Sequence, residues 1–181
     1  PYPPDMTLNE FELPRRVSSA NNEASALYGH FTWTPAALQQ LHLTLGVRYS
    51  EDQREIETAQ YASGFQFFST QADDTWDNTS TDFTVSYDLA DDVNVYGKYV
   101  EGYKTGGFNI RATSLVAATT PVSEETVGTW EAGIKSQFLD DRVRLNAAVF
   151  TSDYEDIQLS FAQIGDPTNT VLYNAGKATI D

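Results

Sequence analysis

Leu41-His42-Leu43-Thr44-Leu45-Gly46-Val47-Arg48-Tyr49 puts an apolar or aromatic side chain at every odd position and a polar or small one at every even position. A period of two belongs to a β-strand whose faces meet different surroundings. The strand is expected to run on to about residue 55, beginning apolar and ending charged. The same alternation recurs on both sides of it. Leu27, Gly29, Phe31 and Trp33 alternate with Ala26, Tyr28, His30 and Thr32 in a strand expected over 25–34. Phe83, Val85, Tyr87 and Leu89 alternate with Thr84, Ser86 and Asp88 in 78–89. Further strands are expected over 93–103, 126–138 and 142–160, and a seventh after 170. In these, Val95, Ile134 and Leu145 share a face with other apolar residues, and Tyr96, Lys135 and Asn146 lie on the other.

The connections are of two kinds. Residues 35–40, 90–92 and 139–141 read as short turns, the first stopping at Pro35, which cannot continue a ladder. Residues 56–76, 104–122 and 162–170 read as long connections, and Pro-rich 1–24 reads as an extracellular loop region. Short turns on one end and long loops on the other, with the barrel strands occupying 25–181, predict an all-β fold. It is an antiparallel up-and-down transmembrane β-barrel, because tilted membrane strands need only ~9–11 residues. The turns are expected to face the periplasm and the loops the outside. Aromatics near strand ends (Trp33, Tyr49, Trp76, Tyr87, Tyr103, Phe138, Tyr154) suit interfacial girdles.

Composition narrows the function. Mean hydropathy is −0.41, an average in which lumen-facing and lipid-facing residues cancel. No run approaches the ~20 apolar residues of a membrane helix. There is no cysteine, which excludes disulfides and thiolate chemistry. A net charge of −15 argues against nucleic acid as a partner. Carboxylate pairs at Glu51-Asp52, Asp73-Asp74, Asp91-Asp92, Glu124-Glu125 and Asp140-Asp141 are expected in connections, as a solvated rim. The sharper alternative is divalent-cation bridging to lipopolysaccharide or a ligand, although no EF-hand spacing supports it. Pro1-Tyr2-Pro3-Pro4 carries no leader pattern, and both ends read as cut from something longer.

Motifs for chemistry are lacking. Lys104-Thr105 precedes Gly106-Gly107, the reverse of a phosphate loop, so the glycines are expected in a turn with positive φ. His30 and His42 lack a carboxylate at useful spacing for a metal site. There is no nucleophile elbow, and adjacent carboxylates on a strand point to opposite faces. No enzyme activity, metal or cofactor is expected. Asn78-Thr79-Ser80 reads as a chance sequon.

Val95-Tyr96-Gly97-Lys98-Tyr99-Val100-Glu101-Gly102-Tyr103-Lys104-Thr105-Gly106-Gly107-Phe108-Asn109 resembles a strand-and-loop signature of TonB-dependent outer-membrane receptors, especially the sphingomonad type. Ala26–Thr34 with Leu45–Asp52, Thr129–Ser136, and Leu145–Phe150 with Asp153–Gln158 resemble the same family, in family order. The resemblance implies a bacterial outer-membrane barrel of about 22 strands whose lumen holds a plug. The plug is expected to be missing from these residues. The resemblance also implies import of a scarce nutrient (a ferric siderophore, haem, cobalamin or a glycan), energised by the TonB complex through the plug. Outer-membrane lipid and lipopolysaccharide would be further partners. Tyr96, Lys98, Glu131, Lys135, Arg144 and Asn146 are expected to face the lumen. Tyr103, Lys104, Asn109 and Arg111 are candidate ligand contacts, their basic groups favouring an anionic ligand. The rival readings are a passive porin and a soluble β-sandwich binding module.

Overall fold

The computed structural model describes residues 15–62, 65–112, 114–139, 142–163 and 166–181. Its main body is a seven-stranded antiparallel sheet in the order β1-β2-β3-β4-β5-β6-β9. The strands are β1 (Arg15–Trp33), β2 (Leu41–Ala62), β3 (Phe65–Ala90), β4 (Val93–Lys104), β5 (Glu125–Phe138), β6 (Val143–Glu155) and β9 (Ala178–Ile180). A separate hairpin pairs β7 (Gln158–Gln163) with β8 (Asp166–Asn174). One short helix, α1 (Leu115–Thr119), lies between β4 and β5; the Ser114 Oγ caps it by accepting from the Ala117 N–H.

Cross-strand register makes the two faces continuous. Phe31 pairs with Leu45, and Leu45 with Phe83. Phe83 pairs with Tyr99, Tyr99 with Trp130, and Trp130 with Thr151. Directly opposed residues share a face, so the apolar positions read from the sequence form one band. The band stays exposed: Leu27 is 78%, Leu145 60% and Val149 73% accessible. A one-layer wall with a greasy exposed face is a barrel segment, not the two packed layers of a sandwich. No described helix is long and apolar enough to cross a membrane, which says nothing about crossing by strands.

Several expectations are corrected: residues 162–170 are no long connection, since β7 and β8 pair across them, and of the expected loop 1–24 residues 1–14 lie outside the described residues. Residues 56–76 form no long connection, and 15–24 are not loop: β1 starts at Arg15, β2 runs to Ala62 and β3 begins at Phe65. The three strands stay in register from Leu41↔Tyr87 up to Gln60↔Phe68, and from Trp33↔Leu43 up to Arg15↔Tyr61. They form a tongue that rises past the apolar band. On the outer face of β2, Leu41, Leu43, Leu45, Val47 and Tyr49 give way to Glu51, Gln53, Glu55 and Glu57. Their partners on β3 are Asp77, Thr75, Asp73 and Gln71. Alternation persists here without greasiness, because outside a membrane the outer face needs only water. Glu51-Asp52 and Asp73-Asp74 therefore sit in strands, each pair split between faces. Asp91-Asp92 occupies a turn, and Asp140-Asp141 lies outside the described residues. β6 also ends sooner than expected, at Glu155, where Asp156 takes φ 53°.

The tongue has a core of its own. Ile56 and Thr58 on its inner face are buried, and so are Ala112, Ala118 and Val122 of the β4–β5 connection folded against it. The Gln60 Nε2 donates to the Ala112 carbonyl at 3.0 Å. A Gly107↔Val122 bridge closes the connection on itself.

Candidate functional site

The inner face of β4 and β5 gathers ionised groups. Tyr96 lies across Gly133, where a Cβ would sit 2.7 Å from the phenol oxygen. Its hydroxyl donates to Glu131 at 2.6 Å. Lys98 pairs with the other Glu131 oxygen at 3.1 Å, and the Lys135 ammonium stands 5.0 Å from the Tyr96 ring centre. Two cations around one carboxylate leave a net positive patch. Asn146 opposes Lys135 in register, and Arg144 donates to Gln137 at 3.2 Å. All six of these residues share the face opposite the apolar band. His30 and His42 are there too, each beside a carboxylate of β3 (Asp82 at 3.5 Å, Asp88 at 3.0 Å) that sequence spacing did not reveal. No group of three or more metal-binding side chains occurs among the described residues.

At the mouth, the β3–β4 ladder ends at Asp82↔Val100, while β4 stays paired with β5 up to Lys104↔Glu125. The wall forks there. The Glu101 carboxylate takes the Thr81 N–H at 3.0 Å and its hydroxyl at 2.6 Å, satisfying the first amide the ladder abandons. The Thr81 hydroxyl holds the Glu101 carboxyl below its ordinary range, against the opposing push of partial burial. Tyr103 reaches back across the fork to donate to Asp52. Burial, followed by that carboxylate, raises its phenol.

The four candidate ligand contacts do not form one cluster. Tyr103 is tied to β2, and Lys104 faces Glu125 on β5 at 3.9 Å. Asn109 accepts from the Arg111 N–H at 3.1 Å within a turn, and Arg111 is exposed. Beside them lies a constellation that sequence reading missed. Trp76 is turned inward rather than toward a girdle and meets Phe108 edge-on at 5.9 Å. Arg54 runs beneath Gly107, and its Nε is buried with no hydrogen-bond partner, as is the Thr105 hydroxyl. Gly106 and Gly107 do not take positive φ; among described glycines only Gly176 does. Gly106 is small because the chain passes so close: a Cβ there would be 2.1 Å from the Trp76 indole nitrogen and 2.3 Å from the Val122 carbonyl, whereas one on Gly107 would meet Arg54 at an ordinary 3.7 Å. A guanidinium near an aromatic corner, with its Nε unpartnered, offers charge and a stacking surface to a planar anion.

Comparison with known proteins agrees with this architecture. The profile "TonB dependent receptor-like, beta-barrel" matches residues 1–181. The pesticin receptor of Yersinia enterocolitica is 32% identical over 156 residues, covering 86% of this chain and 22% of that protein. The Yersinia pestis pesticin receptor is 31% identical over the same length. The crystal structure of the ferric yersiniabactin uptake receptor FyuA from Yersinia pestis superposes with a TM-score of 0.76 at 28% identity. That match covers 92% of this chain and 24% of FyuA. The chain thus spans about a quarter of the length of these relatives, whose barrels stand in the bacterial outer membrane. It belongs to the TonB-dependent receptor β-barrel family.

Proposed function

We propose that this chain is one section of the wall of a receptor of about 22 strands that imports a scarce, anionic metal chelate, a ferric siderophore first among them. The observation that carries the reading is the Arg54–Trp76–Phe108 corner beneath the β4–β5 connection. The pesticin and ferric yersiniabactin receptors among its relatives support it. Arg111 and Lys104 add positive charge at the mouth, and Tyr103 and Asn109 hold the connection that carries them. The inward patch of Tyr96, Lys98, Glu131, Lys135, Arg144 and Asn146 faces a lumen filled by a plug, and the TonB complex acts through that plug. The protein does no chemistry on its cargo. The run Val95–Asn109 supports a place among the sphingomonad-type members.

The test is uptake of radioactive iron, offered as a panel of ferric chelates to iron-starved cells with and without the gene. Loss of energy-dependent uptake of one chelate is expected, with Arg54→Gln raising the concentration needed for half-maximal uptake. Unchanged iron uptake, with a gene-dependent rise in passive solute leakage, would replace the receptor with a porin.

A further inference from the structure

The outward face of β4–β6 holds two adjoining hollows that share one wall. The upper one, about 380 Å³, lies in the fork, among Thr79, Tyr99, Glu101, Thr126, Trp130 and Asp153. The lower one, about 410 Å³, is floored by Gly97 and Ala132 and flanked by Val149. Trp130 borders both, tilted against Tyr99 with 4.8 Å between ring centres. The upper hollow is polar and sits where the outer face turns from grease to carboxylate. The lower one lies inside the apolar band.

Gly97 is the telling residue. Glycine inside a strand weakens it and usually marks something that approaches closely. Gly128 and Gly133 follow that rule within the chain, lying beneath Tyr99 and Tyr96. Gly97 has no such neighbour: a Cβ there would meet nothing within 4 Å. Gly29 is equally open but lies on β1, at the edge of the sheet. Gly97 is hemmed on both sides, by Val85 of β3 and Ala132 of β5. Nothing in this chain fills the space above it, which opens on the apolar outward face.

We propose that this face seats one sugar-headed lipid of the outer leaflet. An acyl chain lies in the Gly97–Ala132 hollow, and the sugar stacks on Trp130 in the groove above. The groove's charge selects the head. Glu101 and Asp153 repel a bare phosphate, whereas sugar hydroxyls donate to carboxylates and sugar faces stack on indole. Asp153 already accepts one hydroxyl, from Thr179 at 2.7 Å.

The protein is purified from outer membranes in mild detergent, incubated with monoglucosyl diacylglycerol or with phosphatidylglycerol of the same acyl chains, and weighed by native mass spectrometry. One glucolipid retained per protein is expected, with little phosphatidylglycerol. Gly97→Leu fills the lower hollow from β4 and lowers glucolipid retention about tenfold. Ala132→Leu fills it from β5 and serves if the first variant does not assemble. Chelate uptake stays unchanged in both, so failure here is separable from failure of the receptor reading. Retention that survives both fillings, or phosphatidylglycerol held as well as the glucolipid, would overturn the proposal.

Discussion

Below Tyr49 the sheet is a wall, and above it a tongue. The same strands build both. Among the described residues the wall has no buried apolar interior of its own, since one face meets lipid and the other carries ionised groups in register. The tongue buries Ile56, as Ala112, Ala118 and Val122 of the connection folded on it are buried, and turns carboxylates outward. The wall is therefore held by its surroundings and its ladder, the tongue by ladder and core. One strand can pass between these regimes with no break in pairing, because alternation survives while the residues that fill it change.

The sharpest way to break the contrast is charge on the outer face. Leu45→Arg should cost ~2–4 kcal/mol if Leu45 stands near the bilayer midplane. Gln53→Arg, on the same face of the same strand but above the boundary, should cost almost nothing. Urea titration of folding into lipid vesicles compares them, and equal costs would erase the boundary at Tyr49. Next comes the tongue's core. Ile56→Ala should cost about 2 kcal/mol, the low end for such truncations because the core is shallow. The loss should appear as faster hydrogen exchange at Gly107 and Val122, with the wall unmoved. Exchange that quickened equally in the wall would make the two regions one cooperative unit.

The smallest effect is expected where the regions meet. Glu101→Gln weakens charge-assisted bonds to Thr81 and should cost about 1–2 kcal/mol. The carboxyl is held below its ordinary range, so its contribution is full above that range. It disappears as pH falls through the lowered value. Acidification should loosen the fork in the parent protein and leave the variant indifferent, as read by exchange at the Thr81 amide. A parent insensitive to acid would remove Glu101 as the cap.

The wall was legible because grease on alternate positions has one physical meaning over ten residues. The tongue was not. Arg54, Ile56, Thr58 and Gln60 face inward against Glu55, Glu57 and Ala59, a period of two written almost wholly in polar letters, which reads as loop. The site suffered for the same reason. In the sequence Arg54 reads as the charged end of a strand and Trp76 as a girdle residue, because only the fold of the β4–β5 connection over the inner face gives them a shared corner. The glycine pair stands out in the sequence, but the reason for Gly106 is proximity to Trp76 and the Val122 carbonyl, not backbone handedness.

The parting of β3 from β4 at Asp82 and Val100 works like a zip opened from one end. Below it, pairing continues to Ala90↔Val93 beside the turn at Asp91-Asp92, with one register shift after Asp88, so hydrogen bonds fix the spacing of the two strands. Above it, no ladder joins the described residues of the two flaps; they are held by separate contacts, among them Glu101 to Thr81, Asn78 to Glu124, Tyr103 to Asp52 and Gln60 to Ala112. This section of wall can therefore change its spacing above the fork without changing it below.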